Sequence, residues 1–117
     1  MAETMNGATY DELLAGPEEP TMTAFVRVSS DTTVERGTLL ACNWRNNVLY
    51  GAHVTAADAT NGSHLLVGTG EQESTTVVIA YWDGRFNRNA LKLPEGVDIQ
   101  DFELELRRQN ILLTEAI

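Results

Sequence analysis

One cysteine, two histidines and eight basic residues in a chain of 117 leave little material for several kinds of chemistry. With Cys42 alone, no disulfide can close within the chain. Cys42 also ends the apolar run Leu39-Leu40-Ala41-Cys42, where a small buried hydrophobe is expected. A reactive thiolate would need an electropositive, partly exposed setting. His53 and His64 stand too far apart for the short paired spacings of structural zinc sites, and neither Cys42 nor Asp58 completes a ligand motif. No metal and no cofactor is expected. The 8 Lys and Arg face 17 Asp and Glu, a net charge of −9. Neutralising phosphates takes clustered positive charge, so neither nucleic acid nor an anionic membrane is expected as a partner. No apolar run approaches the ~20 residues of a membrane span. Met1-Ala2-Glu3-Thr4 shows neither a basic n-region nor an apolar h-region, so the expectation is a soluble protein made in a reducing cytoplasm.

Catalytic motifs are missing as well. There is no Gly-x-Ser-x-Gly elbow, and Gly68-Thr69-Gly70 lacks the third glycine and the lysine of a phosphate loop. The acid pairs Glu71/Glu73 and Glu103/Glu105 fall on a polar loop tip and an exposed helix. An enzyme is not expected.

What is present is enough apolar residue, 43%, for one small domain. A domain of this size buries only about two-thirds of the surface its unfolded chain exposes, so association with other subunits would help it. The pattern predicts an α+β, mainly β fold: a β-rich body over residues 30–117 with one C-terminal helix, and an extended N-terminal arm over residues 1–29. In the arm, Thr9 and Glu12 have capping-box spacing, Tyr10, Leu13 and Leu14 follow, and Gly16-Pro17 stops the turn. So short a helix does not persist alone, and the segment before Thr21 is expected to be flexible in the free protein. From Thr21 to Ser29 the residues alternate, with Met22, Ala24, Val26 and Val28 on one side. Two readings stand: a strand of the body, or an arm that adds to a partner's sheet edge. On the second, Thr21, Thr23, Phe25, Val26 and Arg27 are candidate partner-binding residues.

In the body, Thr38–Trp44 reads as a buried strand, Arg45-Asn46-Asn47 as a turn, and Val48-Leu49-Tyr50 as the return. A loop at Asp58–Gly62 precedes the short strand Leu65-Leu66-Val67, which Gly68-Thr69-Gly70 closes before a polar tip at Glu71–Ser74. Thr75–Trp82 is apolar on both faces, so both should be covered, the second by a neighbouring subunit. That makes Val78, Tyr81 and Trp82 candidates for a subunit interface. Without positive charge Trp44, Trp82 and Tyr81 are not expected to form a base-stacking platform, and core or subunit interface is the better account of them. Asp83-Gly84 reads as a hairpin turn into Arg85-Phe86-Asn87. Asp98–Gln109 is the convincing helix: Asp98 caps it with Asp101 at the box position, and Ile99, Phe102 and Leu106 share a face. Glu103 and Arg107 are spaced to pair, and Asn110 suits the left-handed position that ends it. Leu104 points elsewhere and joins the interface candidates. Ile111-Leu112-Leu113 is a last strand.

The order of these parts resembles the small head decoration proteins of lambda-like bacteriophages. The resemblance is carried by Gly37-Thr38-Leu39-Leu40, by Asp58-Ala59-Thr60-Asn61-Gly62-Ser63 before Leu65-Leu66-Val67-Gly68, and by Thr76 to Tyr81. It continues through Gly84-Arg85-Phe86-Asn87 to Leu91, and ends on Leu106-Arg107-Arg108-Gln109-Asn110-Ile111-Leu112-Leu113. It implies a homotrimer on the outer surface of the mature phage capsid, at three-fold and quasi-three-fold positions. Its N-terminal arms would become ordered against the major capsid protein, and the protein would stabilise the virion without catalysing anything. Two alternatives of other kinds are a small cytosolic ligand-binding β-domain with a pocket near Tyr81 and Trp82, and a structural component of a phage tail or neck.

Overall fold

Five strands, some alternating and two with continuous apolar runs, roll the chain into a closed barrel. In the computed structural model, which describes residues 13–14 and 22–114, its strands are β1 (Thr23–Arg27), β2 (Leu39–Arg45), β3 (Val48–His53), β4 (His64–Ser74) and β5 (Val77–Tyr81). They run around the barrel in the order β1-β3-β2-β4-β5, and β5 pairs back onto β1. The β2–β3 hairpin turns on Asn46 and Asn47, at φ of 50° and 66°. A two-residue hairpin loop of this kind needs positive φ at both positions, which asparagine tolerates.

The runs Leu39-Leu40-Ala41-Cys42 and Leu65-Leu66-Val67 do not alternate because β2 and β4 are covered on both faces. Leu40, Cys42 and Leu66 point into the barrel, where Val26, Val28, Leu49, Val78 and Ala80 meet them. Leu39, Ala41, Leu65 and Val67 point outward into a second core. That core is roofed by β6 (Gly84–Asn87), by β7 (Ile111–Thr114), and by a 3₁₀ turn at Ile99–Phe102 that continues into α1 (Glu103–Arg108). Phe86, Phe102, Leu106 and Ile111 are its buried anchors. Each large side chain so removed from water contributes roughly 1.5–3 kcal/mol before entropy is counted. The fold is thus mainly β with a little helix near the C-terminal end, as the pattern predicts.

Several details depart from expectation. Thr23–Arg27 is a strand of the body, in register with β5 from Thr23↔Tyr81 to Arg27↔Val77. The boundary expected after Ser29 therefore moves: without β1 the barrel would show two bare edges, at β3 and at β5. Val26, expected to fill a partner's site, is 0% exposed inside the barrel, and Val78, expected at a subunit interface, is 2% exposed there. Both belong to the inward-facing rows of their strands. Leu13 is also buried; its carbonyl accepts a 2.8 Å hydrogen bond from the Asn87 amide, and Leu14 bridges Phe86. The Thr9–Glu12 capping box, Gly16-Pro17 and Thr21 lie outside the described residues.

β4 does not stop at Val67 but runs through irregular pairing to Ser74. Gly68 lets the chain cross it, since a Cβ there would sit 2.8 Å from Val34 Cγ1 and 2.9 Å from the Glu35 carbonyl oxygen. Asp83-Gly84 makes no hairpin. β6 leaves the barrel and pairs in parallel with β7, from Gly84↔Ile111 to Asn87↔Thr114. Glu103 pairs with Arg88, both contacts at 2.5 Å, where Arg107 was expected. Asp98 caps its turn by accepting from the Gln100 amide at 3.0 Å, and Asn110 ends α1 at φ 66°.

Candidate interaction surfaces

Several titratable groups are engaged in holding the structure. Cys42 is fully buried, and desolvation pushes its thiol up to about 12, which leaves it protonated at physiological pH. His53 Nε2 donates to the Thr33 carbonyl oxygen at 2.6 Å. Asp58 organises its loop. Its carboxylate accepts from the Thr55 amide at 2.7 Å and Asn61 Nδ2 at 2.7 Å, and from the hydroxyls of Thr55 and Ser63. Partial burial raises its pKa, but these hydrogen bonds outweigh that and hold it below the usual carboxylate value. The Arg88 guanidinium, hydrogen-bonded to Glu103, likewise holds that carboxyl down. Among the described residues no group of three or more His, Cys, Asp and Glu is placed to hold a metal ion. None of the described helices is long and apolar enough to cross a membrane.

The surface is more informative, because large apolar side chains stand on it in three places. The first is the outer face of β1 and β5. Phe25 is 59% exposed there, beside Ile79 across the ladder, with Thr23 and Arg27 flanking it on β1. Residues of one parity along a strand share a face, so Thr23, Phe25 and Arg27 are brought together, while Val26 is turned inside.

The second is the barrel end. Trp44, 53% exposed, lies 6.3 Å from Trp82 between ring centroids, and Trp82 lies 5.6 Å from His64. The Trp82 amide donates to the Met22 carbonyl at 3.0 Å, and the Met22 side chain is exposed. Trp82 packs on the barrel interior from this end. Nothing in the sequence marks Met22 as a contact residue, whereas Trp44 is expected, with Trp82 and Tyr81, in the core or at a subunit interface. The trace of Trp44 was parity: it continues the inward row Leu40, Cys42 past the last buried position.

The third is the second layer, where Leu104 on α1 is 62% exposed and Leu112 on β7 is also open. The four interface candidates therefore do not form one patch. Val78 is interior and Leu104 sits on the second layer. Tyr81 turns toward that layer: it packs 5.5 Å from Phe86, and its hydroxyl accepts from Arg36 Nη1 at 3.0 Å. Only Trp82 stands at an open end. Tyr81 and Trp82 are consecutive and face opposite sides, so they do not line one pocket.

No protein-family model and no curated protein matches this chain. The functional reading accordingly rests on the residues and on their placement.

Proposed function

We propose that this protein is a structural subunit that coats an assembled shell: a phage head decoration protein, acting as a homotrimer on the outer surface of the capsid and stabilising it. The observation that carries the reading is the distribution of exposed apolar anchors. Phe25, Trp44 and Leu104, each more than half exposed, stand on three separate parts of a small body whose two cores are filled. A decoration subunit must touch its own copies and the shell at once, and therefore needs several contact surfaces. Aromatic side chains are the usual anchors of such contacts.

In this reading Trp82, Trp44 and Met22 at the barrel end serve subunit contacts, and Thr23, Phe25 and Arg27 on β1 face the major capsid protein. Stabilisation follows from linkage: a protein that binds the assembled shell and not its parts shifts the balance toward the shell. Three linked subunits bind with an avidity that no single contact supplies.

The test has two arms. Sedimentation equilibrium should give three times the chain mass, and Trp44→Ser with Trp82→Ser should give the monomer. Cosedimentation with expanded phage heads should retain the wild type and lose Phe25→Ser. A chain that stays monomeric at all concentrations and passes through heads unbound would end this reading.

A further inference from the structure

In a chain of net charge −9, one concave surface is lined by two arginines, with the Asp31 carboxylate hydrogen-bonded to the hydroxyl of Ser29 on its wall. It is an open groove of about 600 Å³ at the joint between β1 and β3. These strands run parallel and meet in register at Arg27↔Tyr50. Past that point they part. The walls of the groove carry Arg27, Ser29 and Ser30 on the β1 side, and Asn43, Arg45 and Tyr50 on the other. Arg45 lies over the Tyr50 ring, 4.7 Å from its centroid, which holds one guanidinium at the wall. Among the described residues neither Arg27 nor Arg45 has a carboxylate partner, whereas Arg88, Lys92 and Arg108 each do.

We propose that this groove is a docking site for an extended acidic segment of a partner protein. Three features select that occupant. Two guanidinium groups call for carboxylates, which they bind in paired, charge-assisted hydrogen bonds. Gly51 and Ala52 of β3 line the groove just where β1 has left them, so a strand edge is offered to an incoming backbone. The Ser30 hydroxyl and the Asn43 amide suit peptide groups, while the Ser29 hydroxyl already donates to Asp31. A long polyphosphate chain fits less well, since two arginines on an acidic body neutralise too few phosphates. The site is independent of any shell: it takes such a segment whether or not the protein coats a capsid.

The experiment uses the full chain, isotopically labelled, and follows its amide resonances at low salt. The probes are a blocked glutamate oligopeptide, a glutamine oligopeptide of equal length, inorganic phosphate and a thymidine oligonucleotide. The glutamate peptide should give saturable shifts at Arg27, Ser29, Tyr50 and Ala52 that fade as salt is added. Arg27→Gln with Arg45→Gln should raise its Kd about tenfold or more. Both arginines are exposed, so the fold should hold. Ser30→Glu, which adds a like charge and removes no hydrogen bond, should weaken binding as well. The proposal is overturned if the glutamate peptide gives no saturable shifts or binds the variants unchanged. It is equally overturned if the glutamine peptide binds as well, or if phosphate or the oligonucleotide produces the same shifts more tightly.

Discussion

β1 joins its two neighbours in very different ways. Against β5 it is in register along its whole length, from Thr23↔Tyr81 to Arg27↔Val77, and the ladder continues as Val28 donates to the Thr76 carbonyl. Against β3 it is paired at Arg27↔Tyr50 alone. The barrel is therefore closed on one side by backbone and on the other chiefly by side chains. At the second joint the closure is tight inside: a Cβ on Gly51 would sit 2.6 Å from Val26 Cγ1 and 2.9 Å from Cys42 Sγ. A barrel can thus be sealed through its interior while its wall stays parted, and the parting is where the cationic groove lies.

The contrast can be broken at Val26, the side chain that seals the weak joint. Val26→Asp would bury a charge without a partner and should cost about 4 kcal/mol or more, enough to unfold so small a domain. Urea denaturation measures this, with Phe25→Ser as the comparison. Phe25 is the next residue along but on the outer face, and its loss should change stability by less than about 0.5 kcal/mol. Equal losses for the two would mean that β1 is not a strand of the barrel. Deleting residues 1–29 should likewise unfold the body.

A smaller effect is expected at Gly51. Gly51→Ala forces a methyl against Val26 and Cys42 and should destabilise by about 1–3 kcal/mol, partly recovered when combined with Val26→Ala. Thermal melts of the two single variants and the double variant would show that recovery. Additive losses would remove the claim that these residues close the joint together.

Cys42 lies in the same interior, and Cys42→Ala should cost about 1 kcal/mol in lost packing. Its ionisation gives a pH signature. The folded thiol sits at about 12 against an ordinary 9.0, so the proton is held more tightly in the folded state. Stability from this group is complete below pH 9.0 and falls as pH rises from there toward about 12. Cys42→Ala should flatten that alkaline decline, and a thiol reagent should label the native protein slowly. The smallest effect is at Asp58, whose lowered pKa gives stability that is present above the ordinary carboxylate value and is lost on acidification. Asp58→Asn should remove a little stability at neutral pH and make the acid side of the stability profile flatter.

How much of this could be read beforehand depends on whether the determining contact is local. Asn46-Asn47 announces its hairpin because the φ requirement is a property of those two residues. The apolar run of β2 announced a buried strand, but not what buries it: the cover of its outer face comes from Phe86, Phe102, Leu106 and Leu13, distant in sequence. Alternation in Thr21–Ser29 fixed a strand without fixing its partner, since a body strand and a docking arm alternate alike. Asp83-Gly84 carried a strong hairpin signal, and the parallel partner β7 overrode it. The pairing of Trp44 with Trp82 and the joining of Arg27 to Arg45 depend on barrel register, which no local pattern encodes.

The strand order also sets a sequence in time. β1 precedes the rest of the barrel in the chain, yet its neighbours are β3 and β5, and the farther of them ends at Tyr81. The β2–β3 hairpin can form early, because only Asn46 and Asn47 separate its strands. β1 must instead wait for a loop of some fifty residues to close, an entropic cost that slows non-local pairing. Until then Phe25, Val26 and Val28 are displayed together on an unpaired strand, a state prone to aggregation as the chain is being made. A circular permutant that places β1 directly after β5 would convert this late step into a local hairpin and should refold faster at unchanged native structure.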